Sequence, residues 1–339
     1  MNRAFQNGLG DPNLCTLLVG ARGSGKTALL TQIALEAESC GWISARSSAL
    51  PGLLDDVYQC ALRGGKHLLR TAERKVVGLE VGQLFGVEWE SAQSTDENWR
   101  SKMTRVLDGL EEADCGLLIT VDEVNPALDE VKTLVSVYQH FVTEGRKVAL
   151  CMAGLPAKIS ALLSDEDVSF LRRARKQTLG RLDNVDVELA FKKTFELAGG
   201  KIAEDALTPA AIAIDGFPYM LQLVGYWTWE CAGDVEATTQ ADVAKGVAYA
   251  SRDLREGVLE VTWNELSTVD KKFVAAMLEC DGDTTLAQVA EAMGVKSNYA
   301  SRYKKRLLEQ GLIGEYGGNV LRLEIPCSRE YFAERLASE

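Results

Sequence analysis

Histidine is the scarcest reactive residue of this chain: among 339 residues there are two, His67 and His140. A histidine-based metal centre or a serine–histidine triad therefore has almost no material to work with. Cysteine occurs eight times, at Cys15, Cys40, Cys60, Cys115, Cys151, Cys231, Cys280 and Cys327, but never as a C-x-x-C pair. Scattered singly and mostly inside apolar runs, these read as buried free thiols of a reducing compartment. No apolar run approaches a membrane span, and Met1 to Leu14 lacks a cationic-then-apolar leader pattern. The expectation is a cytoplasmic protein with no membrane partner. Positive charge is short as well, with 37 Lys+Arg against 49 Asp+Glu and a net charge of −12. That excludes a wholly basic surface and confines any nucleic-acid contact to one local element.

What is present is enough chain for two or three domains. Residues 1–180 alternate short apolar runs with longer helical patterns, as a parallel sheet flanked by helices requires. Leu14 to Val19, Trp42 to Ala45, Gly116 to Val121 and Lys147 to Met152 read as strands. A helix begins near Gly25, and others are expected over Pro51 to Leu62, opened by its proline, Glu97 to Leu110 and Leu128 to Thr143. Val76 to Trp89, punctuated by Gly78, Gly82 and Gly86, reads as a hairpin or edge insertion. Residues 181–262 carry helical periodicity over Asn184 to Leu197, Asp205 to Ile214, Pro218 to Cys231 and Thr239 to Leu259, which predicts an all-helical second domain. Its aromatic cluster, Phe217, Tyr219, Tyr226, Trp227 and Trp229, is accounted for by helical burial. Residues 263–339 form a third, small unit.

The chemistry concentrates in two strings. Gly20-Ala21-Arg22-Gly23-Ser24-Gly25-Lys26-Thr27 satisfies G-x-x-x-x-G-K-[ST] in full, directly after a strand and directly before a helix. Loop amides around Gly20, Gly23, Ser24 and Gly25 can wrap phosphates, and the helix N-terminus adds partial positive charge. Lys26 can reach the β- and γ-phosphates, and the Thr27 hydroxyl can ligate Mg²⁺. The strand Leu117 to Val121 then delivers Asp122 and Glu123. Asp122 is expected to orient Mg²⁺ through water, and Glu123 to polarise an attacking water as general base. ATP and Mg²⁺ are the cofactors this pattern calls for.

The P-loop, the Asp122-Glu123 pair, the strand running into Ala153-Gly154-Leu155-Pro156, and Gly216-Phe217-Pro218 opening a helix together resemble the AAA+ ATPases. The likeness is greatest to the branch shared by origin-recognition-like replication initiators and STAND signalling ATPases, and it covers about residues 10 to 330. It implies that the helical second domain lies over the nucleotide as a lid, with Pro218 near the base or ribose. It also implies an arginine finger supplied to a neighbouring subunit, for which Arg173, in the basic run Leu171 to Lys176, is the candidate, with Arg172 and Arg175 beside it. Two departures bear on rate. Met152-Ala153-Gly154 offers no side-chain donor where the family has a polar γ-phosphate sensor, and the helix after Pro218 lacks the family's arginine. Both remove groups that stabilise transition-state charge, so slow hydrolysis is expected.

In the third unit, Ser267 can cap a helix with Val269, Phe273, Val274, Met277 and Leu278 on one face. Asp281-Gly282-Asp283 reads as a turn, and Thr285 to Gln288 has capping-box form. The helix it opens closes at Gly294. Ser297 is expected to cap a third helix ending at Gly311, followed by a hairpin of Leu312 to Gly314 with Val320 to Leu323. This arrangement resembles a winged helix-turn-helix. Its third helix is basic, with Lys296, Arg302, Lys304, Lys305 and Arg306 and no acid between them. Asn298, Ser301, Arg302 and Lys305 share the face opposite the buried stripe, where base edges of duplex DNA would be met. Lys296, Lys304 and Arg306 could hold phosphates, with Arg322 in the wing.

The fold expected is thus α/β: a parallel-sheet P-loop ATPase core, a helical lid domain and a small winged helix. The function expected is an ATP-binding, slowly hydrolysing switch that couples ATP or ADP state to DNA binding and self-association. A STAND-type scaffold whose C-terminal unit binds protein is the alternative from another class. A DNA-binding regulator whose P-loop is only a structural ligand site is a third.

Overall fold

The computed structural model describes residues 2–75, 98–233, 237–280, 284–317 and 319–338, with the side chains of 67–75 left aside. The expected hairpin over Val76 to Trp89 and the turn Asp281 to Asp283 lie outside these residues. The chain divides into two compact units, one of residues 1–19 and 26–178 and the other of residues 20–25 and 179–339.

In the first unit, five parallel strands are β1 (Cys15–Val19), β2 (Ile43–Ser48), β3 (Leu117–Asp122), β4 (Val148–Gly154) and β5 (Arg175–Thr178). Their order across the sheet is β2-β3-β4-β1-β5. Both faces are covered, and the period of two sorts the side chains. Leu117, Ile119 and Val121 enter one core with α3 (Leu53–Lys75), α4 (Trp99–Glu112) and α5 (Asp129–Thr143), whereas Leu118 enters the other with α1 (Asn2–Asn7) and α2 (Lys26–Ser39). This is why β3 reads as an unbroken apolar run. A last helix, α6 (Pro156–Ser164), follows β4 with proline in its first turn.

The element boundaries differ from expectation in detail. The helix expected to open at Pro51 starts at Leu53, with Pro51 in the preceding turn. Asn98 caps α4 by accepting from the Ser101 N–H, a cap the sequence reading passed over. The basic run Leu171 to Lys176 falls on a short 3₁₀ turn, Ser169–Arg173, and the edge strand β5, whose four residues are all exposed.

In the second unit, α7 (Asn184–Leu197), α8 (Glu204–Ile214), α9 (Pro218–Ala232) and α10 (Gln240–Leu254) are followed by a π turn, Arg255–Leu259, and α11 (Glu260–Glu265). One helix over Thr239 to Leu259 was expected; the π turn interrupts it. Next come α12 (Thr268–Glu279), β6 (Thr284–Thr285), α13 (Leu286–Ala292), α14 (Ser297–Gln310), β7 (Ile313–Tyr316), β8 (Val320–Leu323) and α15 (Ser328–Ser338). The three short strands form an antiparallel sheet in the order β6-β8-β7, so the expected hairpin gains a third strand. Ser267 and Thr285 head full capping boxes with Asp270 and Gln288. Ser297 does not cap α14: Lys296 holds that position without a side-chain cap bond, and Gly311 closes the helix in the left-handed conformation. One apolar core runs from Val187 to Phe332 through all of these helices.

Of the aromatic cluster assigned to burial, Phe217 is buried, but Tyr226 and Trp229 are exposed, where Tyr226 meets Trp227 edge-on and Trp229 tilts against Phe195. The eight cysteines are free, and only Cys115 and Cys151 are buried; the other six are partly exposed. Among the described residues no helix is long and apolar enough to cross a membrane.

Candidate functional site

In the first unit, the C-terminal ends of the parallel strands gather Lys26, Thr27, Asp122 and Glu123, at the edge where open α/β sheets bind ligands. Asp122 ends β3, and both of its oxygens are engaged. The Thr27 hydroxyl donates to Oδ2 at 2.6 Å, and the Glu123 N–H donates to Oδ1 at 2.8 Å. That pairing holds two hard oxygen donors side by side, the donor chemistry Mg²⁺ takes from a protein that leaves its other ligands to phosphates and water. Glu123 adopts a left-handed backbone (φ 52°) that turns the chain out of the sheet, and its carboxylate is exposed. Lys26, the first residue of α2, is only 5 % exposed. The end of β4 is apolar: Ala153 is buried and Gly154 packs against Val124 and Ile159, so no side-chain donor stands there.

In the second unit, the loop Gly20–Gly25 lies against the segment that opens α9. The Tyr219 N–H donates to the Gly23 carbonyl at 3.1 Å, and Pro218 lies 3.4 Å from where a Cβ on Gly25 would be. Gly23 has φ 76°, and a Cβ there would stand 2.6 Å from the Phe217 ring, so only glycine fits. Ser24 is 8 % exposed and its hydroxyl is buried with no hydrogen-bond partner. A buried hydroxyl left without a partner costs about 1–3 kcal/mol, which a phosphate oxygen accepting its proton would remove. The loop therefore fits the group its sequence calls for.

Sequence reasoning missed two further contacts of this loop. Arg22 pairs with Glu265 at the end of α11, and Gly311, after α14, comes so close to Ala21 that a Cβ on it would stand 2.8 Å from the Ala21 Cα. No local pattern signals either, since the partners are more than 200 residues apart.

Arg173 stands at the opposite end of the first unit's sheet. It precedes β5, whose Arg175 lies beside Thr16, whereas Val19, next to the glycine loop, lies beside Thr178. At about 3.3 Å per residue along a strand and about 4.8 Å between strands, Arg173 lies roughly 20 Å from Asp122. Arg173 is exposed; Arg172 donates from Nε to the Leu163 carbonyl at 2.9 Å.

Lys296, at the cap of α14, and Asn298, Ser301, Arg302 and Lys305 on it are all exposed. Lys305 makes a loose 3.8 Å pair with Glu309 while its side chain is 78 % exposed. Arg306 is turned inward instead. Its Nε donates to Oδ1 of the buried Asp270 at 2.9 Å and its Nη2 to Ser267 Oγ at 2.6 Å. Lys304 pairs with Glu315 on β7, and Arg322 on β8 lies over the Tyr316 ring at 5.3 Å.

A parallel sheet of this order, with a glycine loop after its first strand, a lysine heading the next helix and an acid at the end of β3, is the fold of a P-loop ATPase. Solved structures bear this out: the chain is similar to the Walker-type ATPase PABY2304 of Pyrococcus abyssi, with a TM-score of 0.68, 14% identity, and coverage of 98% of this chain and 94% of that one. It is also similar to the ORC2 protein of Aeropyrum pernix in its ADPNP–ADP complexes, with a TM-score of 0.50, 14% identity, and coverage of 99% and 92%. The likeness to these proteins is one of fold. Residues 256–332 match a family described as a domain of unknown function, DUF8462. No curated protein matches the chain.

Proposed function

We propose that this protein is a cytoplasmic ATP-binding switch of the AAA+ type that hydrolyses ATP slowly and couples its nucleotide state to duplex DNA. The observation that carries the nucleotide half is the buried Ser24 hydroxyl, without a partner inside a loop that only glycine can form. In this reading the amides of Gly20, Gly23, Ser24 and Gly25 hold the phosphates, Lys26 reaches the β- and γ-phosphates, and Pro218 meets the base or ribose. Thr27 and Asp122 hold Mg²⁺. When bound there, Mg²⁺ would supply positive charge to a transferring phosphoryl group. Glu123, exposed beside Asp122, takes the proton of the attacking water. Ala153-Gly154 contributes nothing to γ-phosphate recognition, which supports a slow rate. Arg173, distant from its own chain's Asp122, is assigned as a finger offered to a second subunit.

The division into a core of residues 1–180, a lid of 181–262 and a winged helix of 263–339 belongs to the same proposal. The exposed set Lys296, Asn298, Ser301, Arg302 and Lys305 is the DNA face, and Arg306 serves it by fixing α14 to Asp270. The contacts of Ala21 with Gly311 and of Arg22 with Glu265 supply the coupling, because a loop that rearranges around phosphate pulls on the segments flanking α12 and α14. The same contacts favour a second reading, a STAND-type scaffold whose C-terminal unit is released toward a protein.

Gel shifts with duplex DNA, with and without MgATP, over a salt series test the whole. The switch predicts a salt slope of several charges that changes with ATP. Absence of Mg²⁺-dependent ATP binding, or wild-type binding by Lys26→Ala, would overturn the nucleotide half. DNA affinity unchanged by Arg302→Ala with Lys305→Ala would turn the C-terminal unit toward a protein partner.

A further inference from the structure

A cavity of about 330 Å³ opens in the first unit at the N-terminal edge of the sheet, the end away from Lys26 and Asp122. Its floor is apolar and buried, made of Leu14, Val148 and the ring of Tyr138, with Phe170 as one wall. Leu9 and Val142 flank the mouth while remaining 59 % and 39 % exposed, so the apolar lining runs out into solvent. Exposed apolar surface continuous with a cavity is the mark of a surface that something covers.

The ionisable groups of the cavity are sorted sharply. Burial pushes the Cys15 thiol up to about 12 and raises the Tyr138 phenol further, so the floor is neutral; the phenol donates to the Leu14 carbonyl at 3.2 Å. Asp11 lies at the rim with its carboxylate satisfied by Asn7 and by the backbone and side-chain N–H groups of Asn13. Arg146 is held by Asp108 and Glu111 at 2.6 and 2.7 Å. Arg173 alone brings to this rim a cation with no carboxylate paired to it among the described residues.

An apolar pocket with a neutral floor and one uncommitted guanidinium at its edge selects a particular ligand chemistry. We propose that it binds a small monocarboxylic acid, with its apolar tail on Leu14, Val148 and Phe170 and its carboxylate on Arg173. The volume lies at the low end of the roughly 300–1,000 Å³ typical of ligand sites, which suits a tail of about seven carbons. The buried apolar floor offers no polar partners to a sugar or a phosphate, and the guanidinium disfavours amines. The site shares only Arg173 with the nucleotide reading and touches neither Lys26 nor Asp122, so it does not depend on ATP being bound.

Octanoate and its neutral counterpart octanamide, titrated calorimetrically into the 339-residue chain, test this. Saturable one-to-one binding of octanoate, about tenfold tighter than octanamide, is expected because the charge-assisted bond to Arg173 is lost in the amide. Arg173→Gln, a change at an exposed position, should bring octanoate down to the octanamide level. Val142→Trp, which fills the mouth, should weaken both. Equal binding of acid and amide, non-saturable binding, or octanoate affinity unaffected by Arg173→Gln would overturn the proposal. Lys26→Ala should leave octanoate binding intact whether or not it abolishes nucleotide binding, so the two readings fail separately.

Discussion

Arg22 and Glu265 form a two-pronged ion pair, with Nη1 to Oε2 at 2.9 Å and Nη2 to Oε1 at 3.3 Å. Arg22 stands in the middle of the glycine loop and Glu265 at the end of α11, two residues before the capping box that starts α12. Both side chains are about half exposed, so the pair contributes at most about 1 kcal/mol to stability. Its importance lies in what it ties together. Arg22→Ala and Glu265→Ala should leave the melting temperature nearly unchanged yet speed exchange of a fluorescent ATP analogue several-fold, as read by stopped flow. Identical exchange rates in wild type and both variants would show that the pair does not restrain the loop.

Glu123→Gln keeps size and polarity but removes the base. Single-turnover hydrolysis should fall by about 10²–10⁴ while the affinity for ATP stays within a factor of a few. Thr27→Ala should act differently. It removes one of the two oxygens at Asp122, so the Mg²⁺ concentration needed for half-maximal ATP binding should rise.

The basic residues of α14 should separate into two classes. Arg306→Ala strips the partner from Asp270, which is 1 % exposed. Because the arginine itself is partly solvated, a loss of about 1–3 kcal/mol is expected in urea unfolding, below the 3–5 typical of a wholly buried pair. Arg302→Ala with Lys305→Ala should leave unfolding unchanged, weaken duplex binding, and lower the salt slope by about two charges. Equal destabilisation by both sets would contradict this division.

Thiol chemistry gives a pH test. Burial raises Cys15 and Cys151 to about 12. A raised thiol is less ionised at any pH below that value, so at pH 8 only about one part in 10⁴ is thiolate, against about a quarter for an ordinary cysteine near 8.5. Iodoacetamide at pH 8 should leave both unmodified in the native protein and alkylate them after unfolding. Peptide mapping by mass spectrometry reads this directly.

The glycine loop, Lys26, Asp122 and Glu123 were legible because each lies in one short string whose spacing carries its own geometry. Buried strands were legible for the same reason: β3 and β4 are apolar on both faces because helices cover both. The edge strand β5 was not. Arg175, Lys176, Gln177 and Thr178 have no apolar alternation, and only the ladder to β1 makes them a strand. Nor could the sequence separate Arg306 from Arg302, since that depends on Asp270, thirty-six residues earlier, being buried beneath the former. Exposed Tyr226 and Trp229 were misassigned because a helix so rich in apolar residues gives no clear polar face.

The fifth strand buries no side chain, so its place is kept by backbone bonds to Thr16 through Val19 alone. The hydrophobic core is complete without it. It should therefore zip onto the sheet late in folding and peel away first, its amides exchanging with solvent water far sooner than those of Ile119 and Val121 in the sheet's interior. The charges of Arg175 and Lys176 then have a second use, keeping that open edge from recruiting strands of other chains.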